Sequence, residues 1–373
     1  MPLRMLESIS LKGYKSFREL DLTLGAINVL IGANGAGKSN FIGLFKMLNR
    51  MMNEELQIYV AQAGGADQIL HYGRKVTERL ELELWFRWSD TLANGYLCHL
   101  LPAEEGLLVA REGTYFHDRM RYARPYQDMV HQGMYPESRL PQWVKERRRV
   151  AAYVYEAMLS WQLYHFHDTG PSARVKQPGD IQDNRFLLPD AANLAAYLYL
   201  LREKHPQHYR NIIETIRLAT PFFGDFILRP NPLNPEKIRL EWRERGSDLT
   251  FGPNALSDGT LRFICLTTLF LQPPESLPAT IVLDEPELGL HPYAIVLLAE
   301  MVHSVAEHSQ VILATQSVSL VNQFTPQEIL VLDRVEGLST IRRLEEAEIA
   351  HWLDEYGLGE LWEKNILGGR PAL

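Results

Sequence analysis

The chain has 373 residues, of which 46% are hydrophobic and 23% are charged, and its formal net charge at pH 7 is -8. This length can bury one large core with an embedded subdomain, and the acidic balance argues against a protein that coats nucleic acid by charge alone. A local basic surface is still permitted. Because the chain has no apolar run of about 20 residues, no signal-peptide pattern and no metal-ligand spacing around Cys98 and Cys265, we expect a cytoplasmic protein without membrane contact.

The first element with a defined chemistry is a glycine loop between the predicted strand Ile27–Ile31 and a helical pattern over residues 41–48. Backbone N–H groups of such a loop surround a β-phosphate, Lys38 reaches the β- and γ-phosphates, and the Ser39 hydroxyl is a ligand for Mg²⁺. The order of strand, loop and helix therefore predicts a P-loop that binds ATP with Mg²⁺. The binding residues are Gly32, Ala33, Asn34, Gly35, Ala36, Gly37, Lys38, Ser39 and Asn40.

Alternating apolar residues on both sides of this loop predict antiparallel strands over residues 20–24, 80–88, 95–101 and 106–111. Together these strands form a predicted β-subdomain that flanks the P-loop core.

Residues 114–156 are rich in Arg, Tyr and Pro. Cations for phosphates and rings for stacking are what a nucleic-acid surface needs. The alternative is a solvated helical face whose arginines pair with neighbouring carboxylates. The residues concerned are Arg119, Arg121, Arg124, Lys145, Arg147, Arg148 and Arg149, interleaved with Tyr122, Tyr126, Tyr135 and Trp143.

Beyond this region, apolar residues at helical spacing predict helices within residues 193–219. No heptad run long enough for a coiled coil separates the two halves of the chain.

The C-terminal part contains an uninterrupted apolar strand, residues 279–283, that runs into Asp284-Glu285-Pro286-Glu287. At the carboxyl end of a parallel strand, Asp284 can hold Mg²⁺ and Glu285 can polarise the attacking water. Just upstream, a Leu-Ser-Asp-Gly-Thr segment precedes an apolar helix over residues 261–270. Ser257 and the Gly259 amide can bind a γ-phosphate at the N-terminus of this helix.

Taken together, these motifs resemble the RecF/SMC-like branch of the ABC ATPases, and specifically the stand-alone predicted ATPases related to the ATPase domain of OLD-type nucleases. The resemblance covers both ends of the chain but not its middle. It implies an α/β P-loop NTPase of the ABC/RecF/SMC head type, with a mixed sheet, a flanking antiparallel β-subdomain and a mainly helical insertion. The motifs lie at residues 6–17, 32–40, 256–260, 284–292 and 314–317.

The resemblance also implies roles for single residues. ATP would lie between Lys38 of one subunit and Ser257 of a second copy, so that nucleotide holds a homodimer together until Glu285 activates water. Gln316 stands where transport ATPases of the ABC class carry a histidine. Because an amide can orient water but cannot take up a proton, acid–base work by Gln316 is put in doubt.

Several positions keep two interpretations. Asp168 is a candidate for the Mg²⁺ or water contact that the family makes with a glutamine, or it only begins a turn. Lys15 and Ser16 resemble residues beside the adenine and ribose, or lie solvated on an edge strand. His291 reaches across a dimer interface, or it caps a helix.

The predicted organisation is an N-terminal ATPase lobe at 1–100, a mainly helical insertion at 101–235 and a C-terminal lobe at 236–373. We expect an ATP-dependent switch that acts on DNA in repair or genome maintenance. The alternative is a regulatory ATPase partner of a nuclease or toxin effector in anti-phage defence. A transporter motor is disfavoured because the chain lacks an apolar membrane segment and departs from the transporter pattern at Gln316 and residues 288–292.

Overall fold

Two six-stranded sheets organise the chain, and the computed structural model describes residues 5–104, 106–353 and 355–369. The elements of the first half are β1 (Met5–Tyr14), β2 (Phe17–Thr23), β3 (Ile27–Ile31), α1 (Lys38–Met52), α2 (Leu56–Gln62), β4 (Leu80–Arg87), β5 (Leu92–Pro102), β6 (Leu107–Asp118), β7 (Tyr126–Tyr135), α3 (Leu140–Lys145), α4 (Arg149–Leu159) and β8 (Gln162–Tyr164). They are followed by β9 (Gly179–Asp180), α5 (Leu194–Lys204), α6 (Pro206–Ala219), β10 (Phe223–Phe226), β11 (Pro230–Asn231), β12 (Asn234–Ile238), β13 (Trp242–Glu244), β14 (Thr250–Phe251), α7 (Asp258–Phe270), β15 (Thr280–Asp284), α8 (Pro292–Val305), β16 (Gln310–Ala314), α9 (Val318–Val321), β17 (Ile329–Val335), β18 (Leu338–Arg343), α10 (Glu346–Leu353) and α11 (Leu358–Glu363).

The core sheet has the strand order β18-β17-β3-β16-β15-β8. All of its strands run parallel except β18, which pairs antiparallel with β17 at one edge. Alternate residues of β3 enter different cores, with Val29 and Ile31 on one face and Leu30 on the other. A parallel sheet covered on both faces needs strands that are apolar at nearly every position, which explains the uninterrupted runs of β3, β15 and β16.

Helices cover one face of the core sheet, and α1 together with the outer sheet covers the other. The first face buries residues of α5 to α8, among them Ile264 and Leu298, which have no exposed surface. On the second face, the ring of Phe45 in α1 packs edge-on against Trp161 at a centroid distance of 5.0 Å. Trp161 in turn stacks on Phe86 of β4 at 6.0 Å, so rings join α1 to the outer sheet.

The outer sheet is an antiparallel meander with the order β2-β1-β4-β5-β6-β7. Every second residue of β4 is buried against the core and its neighbours are partly exposed, as the period of two predicts. The strands predicted at 20–24, 80–88, 95–101 and 106–111 all lie in this sheet or directly overlap its strands. The α/β class and the mixed core sheet are likewise as predicted.

The prediction of a mainly helical segment over 101–235 is wrong for its first third. There β6 continues to Asp118 and β7 follows; β6 is bulged, since its pairing register with β7 shifts after Val109 and the next buried residues are consecutive, Glu112 to Thr114. The α-helices of this segment are α3 to α6, which begin only at Leu140. A helical face was the alternative prediction for Arg119, Arg121 and Arg124. These arginines instead lie at the end of β6 and in the turn that leads to β7.

Both predicted domain boundaries fall inside strands, at β5 and at β12. In addition, β8 of the middle segment pairs with β15 and completes the core sheet. The middle of the chain therefore shares its core with both lobes rather than standing apart. None of the helices within the described ranges is long and apolar enough to cross a membrane.

Candidate functional site: the P-loop edge of the core sheet

The glycine loop joins β3 to α1 in the conformation that its sequence predicts. A side chain at Gly32 would come within 2.6 Å of the Leu332 carbonyl oxygen, and one at Gly37 within 2.6 Å of the Ser339 hydroxyl. Gly37 also has a φ of 120°, in the region that favours glycine. The loop can lie this close to Leu332 and Ser339 because these two positions carry no Cβ.

Lys38 begins α1 and is buried against its own loop, with 6% of its surface exposed. Its Nζ donates to the carbonyl oxygens of Gly32 and Ala33, the second at 3.2 Å. Burial lowers the pKa of Lys38, while the carboxylates of Glu285 and Asp284 act in the opposite direction. The ammonium group thus lies between the phosphate loop and the acidic strand.

The hairpin of β17 and β18 covers the outer side of the loop. The Ser339 hydroxyl donates to the Ala36 carbonyl at 2.6 Å, and Arg334 Nη1 donates to the Gly35 carbonyl at 3.1 Å. Sequence reasoning missed both residues, since neither belongs to a recognisable motif. Both contacts are made to loop carbonyls, so they fix the loop from outside without using its N–H groups.

The acidic pair lies beside the loop because β15 is separated from β3 only by β16, with all three strands parallel. Asp284 is level with Ala314 of β16, and the Glu285 N–H donates to the Ala314 carbonyl at 2.8 Å. Glu285 has a φ of 45°, which is uncommon for a residue with a side chain and is typical of functional turns. Burial, and then the nearby Glu285 carboxylate, raise the pKa of Asp284.

Gln316 is directly attached to this pair. Its Nε2 donates a short hydrogen bond to Glu285 Oε1, and its side chain is exposed at the mouth of the site. The predicted water-activating carboxylate and the predicted orienting amide are therefore in contact.

The segment after β8 reaches the same edge, because β8 pairs in parallel with β15 in the core sheet. However, the residue that contacts the acidic strand is His167, whose Nε2 lies 2.9 Å from the Asp284 carbonyl oxygen. The exposed Asp168 accepts from the Gly170 N–H at 3.2 Å within its own turn, which matches the turn interpretation. His167 directly precedes Asp168 in the sequence, and this proximity to the predicted contact residue was the signal that could have identified it.

The signature segment begins α7 as predicted. Ser257 is exposed and caps the helix, since its Oγ accepts from the Thr260 N–H at 3.2 Å. Gly259 allows close packing, because a Cβ there would lie 2.2 Å from the Gly289 carbonyl oxygen. Within one chain, α7 is thus held against the turn that follows Glu285.

Arg262, one turn into α7, ties three parts of the site together. Its guanidinium donates to the carbonyls of Phe166 and His167 at 3.1 and 3.0 Å, and to that of Leu288 at 2.7 Å. Arg262 lies two residues after the signature segment. This proximity could have predicted its place in the site, but sequence reasoning missed it. A shift of α7 would therefore be passed to both the 166–167 segment and the 288–291 turn.

The turn that ends at His291 exposes apolar groups. His291 is exposed and acts as the N-cap of α8, with its Nδ1 accepting from the Tyr293 N–H at 3.3 Å. The helix-cap interpretation is therefore correct within the chain. Leu288 and Tyr293 nearby are 47% and 49% exposed.

Lys15 and Ser16 form the turn between β1 and β2 and lie against the P-loop helix. Ser16 is buried, and its Oγ accepts from Asn40 Nδ2 at 2.8 Å. Burial lowers the pKa of Lys15, with Lys46 as a further cause. Ser16 is therefore buried rather than solvated, and Lys15 is partly buried. A cleft of about 460 Å³ opens here, and its lining includes Lys15, Ser16, Asn40, Tyr72 and Arg334.

The basic cluster does not form one surface. Arg119 donates to Glu7 at 3.0 Å and Arg121 lies 3.5 Å from Asp118, so both arginines have local carboxylate partners. Trp143 is buried, and the Tyr135 ring lies under Arg139 at 4.4 Å. The cations at the turn between α3 and α4 are different, because they are exposed and form no ion pair within the described ranges; these are Lys145, Arg147, Arg148 and Arg149.

The donor set at the sheet edge suits a magnesium nucleotide. The exposed Ser39 hydroxyl and the half-buried Asp284 carboxylate are oxygen ligands of the kind that Mg²⁺ prefers. Among the described residues, no group of three or more His, Cys, Asp or Glu could hold a metal ion alone.

Comparison with solved structures identifies the architecture. The chain is similar to an SMC head bound to the C-winged helix domain of ScpA, with a TM-score of 0.59, 16% identity, and coverage of 91% of this chain and 98% of that chain. It is similar to an Smc head with an extended coiled coil, bound to the C-terminal domain of ScpA derived from Pyrococcus furiosus, with a TM-score of 0.56, 17% identity and coverage of 95% and 99%. For the SMC head domain from Thermotoga maritima the values are 0.50, 16%, 91% and 99%. These likenesses confirm the predicted SMC-head type of P-loop fold.

A comparison with curated proteins gives no match. The predicted relation to OLD-type nucleases stays a prediction. The family model described as "AAA domain, putative AbiEii toxin, Type IV TA system" matches residues 27–83 and 137–322, more than half of the chain. It spans the P-loop, the signature segment, the acidic strand and Gln316, and on this evidence the chain belongs to that AAA-domain family.

Proposed function

We propose that the chain is an ATP-hydrolysing switch that dimerises around ATP. The proposal rests on the hydrogen bond between Gln316 and Glu285 beside the buried Lys38 of the P-loop. Attack of water on a γ-phosphate needs a carboxylate that polarises the water and a group that orients it. Both lie at the sheet edge that carries the phosphate loop.

In this proposal each side chain has one task. Lys38 and the loop N–H groups stabilise the charge that develops on the phosphate oxygens. Glu285 accepts the proton of the attacking water, while Gln316 holds that water through its amide. Ser39 and Asp284 would hold Mg²⁺, which neutralises phosphate charge when bound.

The proposed dimer interface is the face around the N-terminus of α7. Ser257 is exposed there, and its Oγ accepts from the Thr260 N–H and shares a second hydrogen bond of 2.8 Å with the Thr260 hydroxyl, in which either oxygen can donate. When Thr260 donates in that pair, the Ser257 hydroxyl is left to donate to a phosphate. Leu288 and Tyr293 are about half exposed on the adjoining turn and helix. Apolar side chains beside a polar anion site favour burial against a second copy whose P-loop carries the nucleotide.

The test is a Glu285→Gln variant, which keeps the shape of the side chain but cannot accept the proton. We expect unchanged ATP affinity, hydrolysis reduced at least about a hundredfold, and an accumulated dimer in the presence of Mg-ATP, measured by gel filtration with light scattering. The matched control is Glu300→Gln on the exposed face of α8, which should behave as the wild type. Hydrolysis by the Glu285 variant at the wild-type rate would show that the base is assigned wrongly.

DNA is the first candidate for what the switch acts on. The exposed cations of the turn between α3 and α4 support it, as do the Trp88 and Tyr153 rings, which lie 5.8 Å apart near the start of α4. Cations that form no ion pair within the described ranges, beside the exposed Trp88 ring, suit a nucleic-acid backbone and its bases. Stimulation of ATP hydrolysis by DNA is the expected result.

A protein effector is the second candidate, in line with a nuclease or toxin partner in anti-phage defence. The family description names a toxin of a type IV toxin–antitoxin system, and two of the similar SMC heads are bound to ScpA domains. The two candidates separate in one experiment. ATP hydrolysis that no DNA stimulates, together with no DNA binding in any nucleotide state, would favour the protein effector.

A further inference from the structure

Glu287, the second glutamate of Asp284-Glu285-Pro286-Glu287, is a buried acid with no task in the mechanism above. Only 9% of its surface is exposed. Its Oε1 accepts two hydrogen bonds, from the Thr315 hydroxyl at 2.6 Å and from the Gln316 N–H at 3.2 Å. Its Oε2 is buried and has no hydrogen-bond partner among the described residues.

Both donors belong to the segment that carries the Gln316 side chain. That segment leaves β16 at Ala314, and the Thr315 N–H donates to the Leu30 carbonyl of β3 at 3.1 Å. The Thr315 hydroxyl also accepts from the Ser317 N–H at 2.9 Å. Glu287 therefore contacts the chain directly before and at Gln316, where a small rotation of the backbone would displace the amide from Glu285.

The same residue is joined to the turn after the acidic strand. The Leu290 N–H donates to the Glu287 carbonyl at 3.0 Å, and the Leu288 N–H donates to the Glu285 carbonyl at 3.2 Å. Glu287 thus connects two segments: its carbonyl contacts the 288–290 turn, which Arg262 holds from α7, and its side chain contacts the Gln316 segment. No other described side chain accepts the Gln316 N–H.

We infer that Glu287 is a positioning residue for ATP hydrolysis: by accepting from Thr315 and from the Gln316 N–H, its carboxylate sets the Gln316 amide against Glu285. Glu287 does not contact the reacting atoms in this role. Groups that orient a reactive side chain typically change activity about 10- to 100-fold when they are removed. The inference rests on the proposed ATPase function, and it goes beyond that function by giving the orientation of Gln316 a cause.

Three variants separate this role from the alternatives. Glu287→Ala removes the acceptor, Glu287→Gln keeps an Oε1 that can accept both bonds, and Thr315→Val removes one of the two donors. Positioning predicts that kcat falls about 10- to 100-fold in Glu287→Ala with KM for Mg-ATP changed less than about threefold. Glu287→Gln should stay within about fivefold of the wild type, and Thr315→Val should lie between them.

A second readout does not depend on turnover. Hydrogen exchange of the Gln316, Ser317 and Val318 amides, measured without nucleotide, should speed up in Glu287→Ala and stay near wild type in Glu287→Gln. If the wild type hydrolyses no ATP, the proposed function fails while this exchange result still tests the contact. The exchange experiment is compared at a temperature where each variant is fully folded by circular dichroism.

Three results would overturn the inference. A Glu287→Gln variant as inactive as Glu285→Gln would make the carboxylate charge itself essential. A Glu287→Ala variant whose kcat is unchanged, or whose KM alone rises, would remove the link to Gln316. Unchanged exchange at residues 316–318 in Glu287→Ala would show that the two hydrogen bonds do not hold the segment.

Discussion

Charged side chains are organised in two different ways at the core sheet and at the outer sheet. At the carboxyl edge of the core sheet, Lys38, Glu285 and Glu287 each contact backbone or side-chain groups of a neighbouring strand or loop. At the end of the outer sheet, Arg119 and Arg121 pair with single carboxylates near solvent. Exposed ion pairs contribute only about 0–1 kcal/mol to stability. The difference shows that the connection of a charge to several fixed neighbours, rather than residue type, distinguishes a site from a surface.

The family match follows the same division. Its two parts leave out residues 84–136, which contain β5, β6 and β7. The P-loop, the acidic strand and Gln316 all lie within the match. So does the turn at Arg147, Arg148 and Arg149, whereas Arg119, Arg121 and Arg124 lie outside it. The two groups of arginines lie in the same arginine-rich segment of the sequence, but they are separate features of the molecule.

The largest effect is expected at the best-connected charge. Lys38→Ala removes the ammonium that would face the β- and γ-phosphates, so ATP binding and hydrolysis should both be lost, measured by isothermal titration calorimetry and phosphate release. Lys46→Ala on the same helix is the control and should keep both. ATP affinity within about threefold of the wild type in Lys38→Ala would contradict the division between site and surface.

The signature serine should give the next largest effect. Ser257→Asp keeps an N-cap acceptor for the Thr260 N–H but repels phosphate, and Ser257→Arg blocks the site by size. Both variants should bind ATP as monomers and lose dimerisation and turnover, by at least about tenfold. The measurements are nucleotide binding, light scattering and phosphate release, with Ser304→Arg on the exposed side of α8 as the control. Loss of ATP binding in the Ser257 variants would show that this serine acts within its own chain.

Sequence reasoning located the site because its motifs are local. Backbone spacing alone defines the P-loop and the acidic strand, so Lys38, Ser39, Asp284 and Glu285 could be predicted one by one. Contacts between distant parts of the chain could not, because His167, Arg334 and Ser339 reach the site only after β8, β17 and β18 join the core sheet. The middle segment was mistaken for helix because bulges after Val109 and Thr114 interrupt the period of two in β6 that would have marked a strand.

Glu112 is an exception that sharpens the comparison, since it is a buried and well-connected charge in the outer sheet. Its surface is 1% exposed, and its carboxylate accepts from the Tyr96 and Ser138 hydroxyls and from the Arg139 N–H at 2.5 to 2.6 Å. Replacement by Ala leaves three donors without this acceptor, of which the two hydroxyls are buried and the Arg139 N–H is partly buried, so we expect a loss of about 3 kcal/mol in the free energy of unfolding, measured in urea. Glu104→Ala in the exposed turn between β5 and β6 should change it by less than about 0.5 kcal/mol.

The pH dependence of that stability has a definite sign. Burial raises the pKa of Glu112 in the folded chain. Between the ordinary pKa and the raised one, the folded state binds more protons than the unfolded state, so this contribution falls as pH rises through that window. Glu112→Gln should remove the slope, and unfolding curves at several pH values measure it. A slope of the opposite sign from this residue would mean that the three hydrogen bonds outweigh burial.

The smallest effect is expected at the charges with the fewest contacts. Changing Arg147, Arg148 and Arg149 together to Glu should leave folding and basal ATP hydrolysis unchanged, because these side chains form no ion pair within the described ranges. If the turn contacts DNA, affinity near 100 mM salt should fall about ten- to a hundredfold, and the slope of log affinity against log salt should decrease by up to about three contacts. Fluorescence anisotropy with single- and double-stranded oligonucleotides, with and without a non-hydrolysable ATP analogue, measures both quantities.

The control for this variant is a triple charge reversal at Lys204, Arg210 and Arg185, which are exposed cations on the helical side of the core sheet. It changes net charge by the same amount, so a nonspecific loss of attraction to phosphate would appear equally in both variants. A loss of DNA affinity confined to the variant of the turn between α3 and α4 would make that turn a second functional site. Its cations would be available to DNA because they form no ion pair within the described ranges. Equal losses of DNA affinity in both variants would argue against a DNA site at this turn, and so would the absence of DNA affinity in any nucleotide state. Either outcome would leave the carboxyl edge of the core sheet as the one functional site proposed for the described residues and would favour a protein effector.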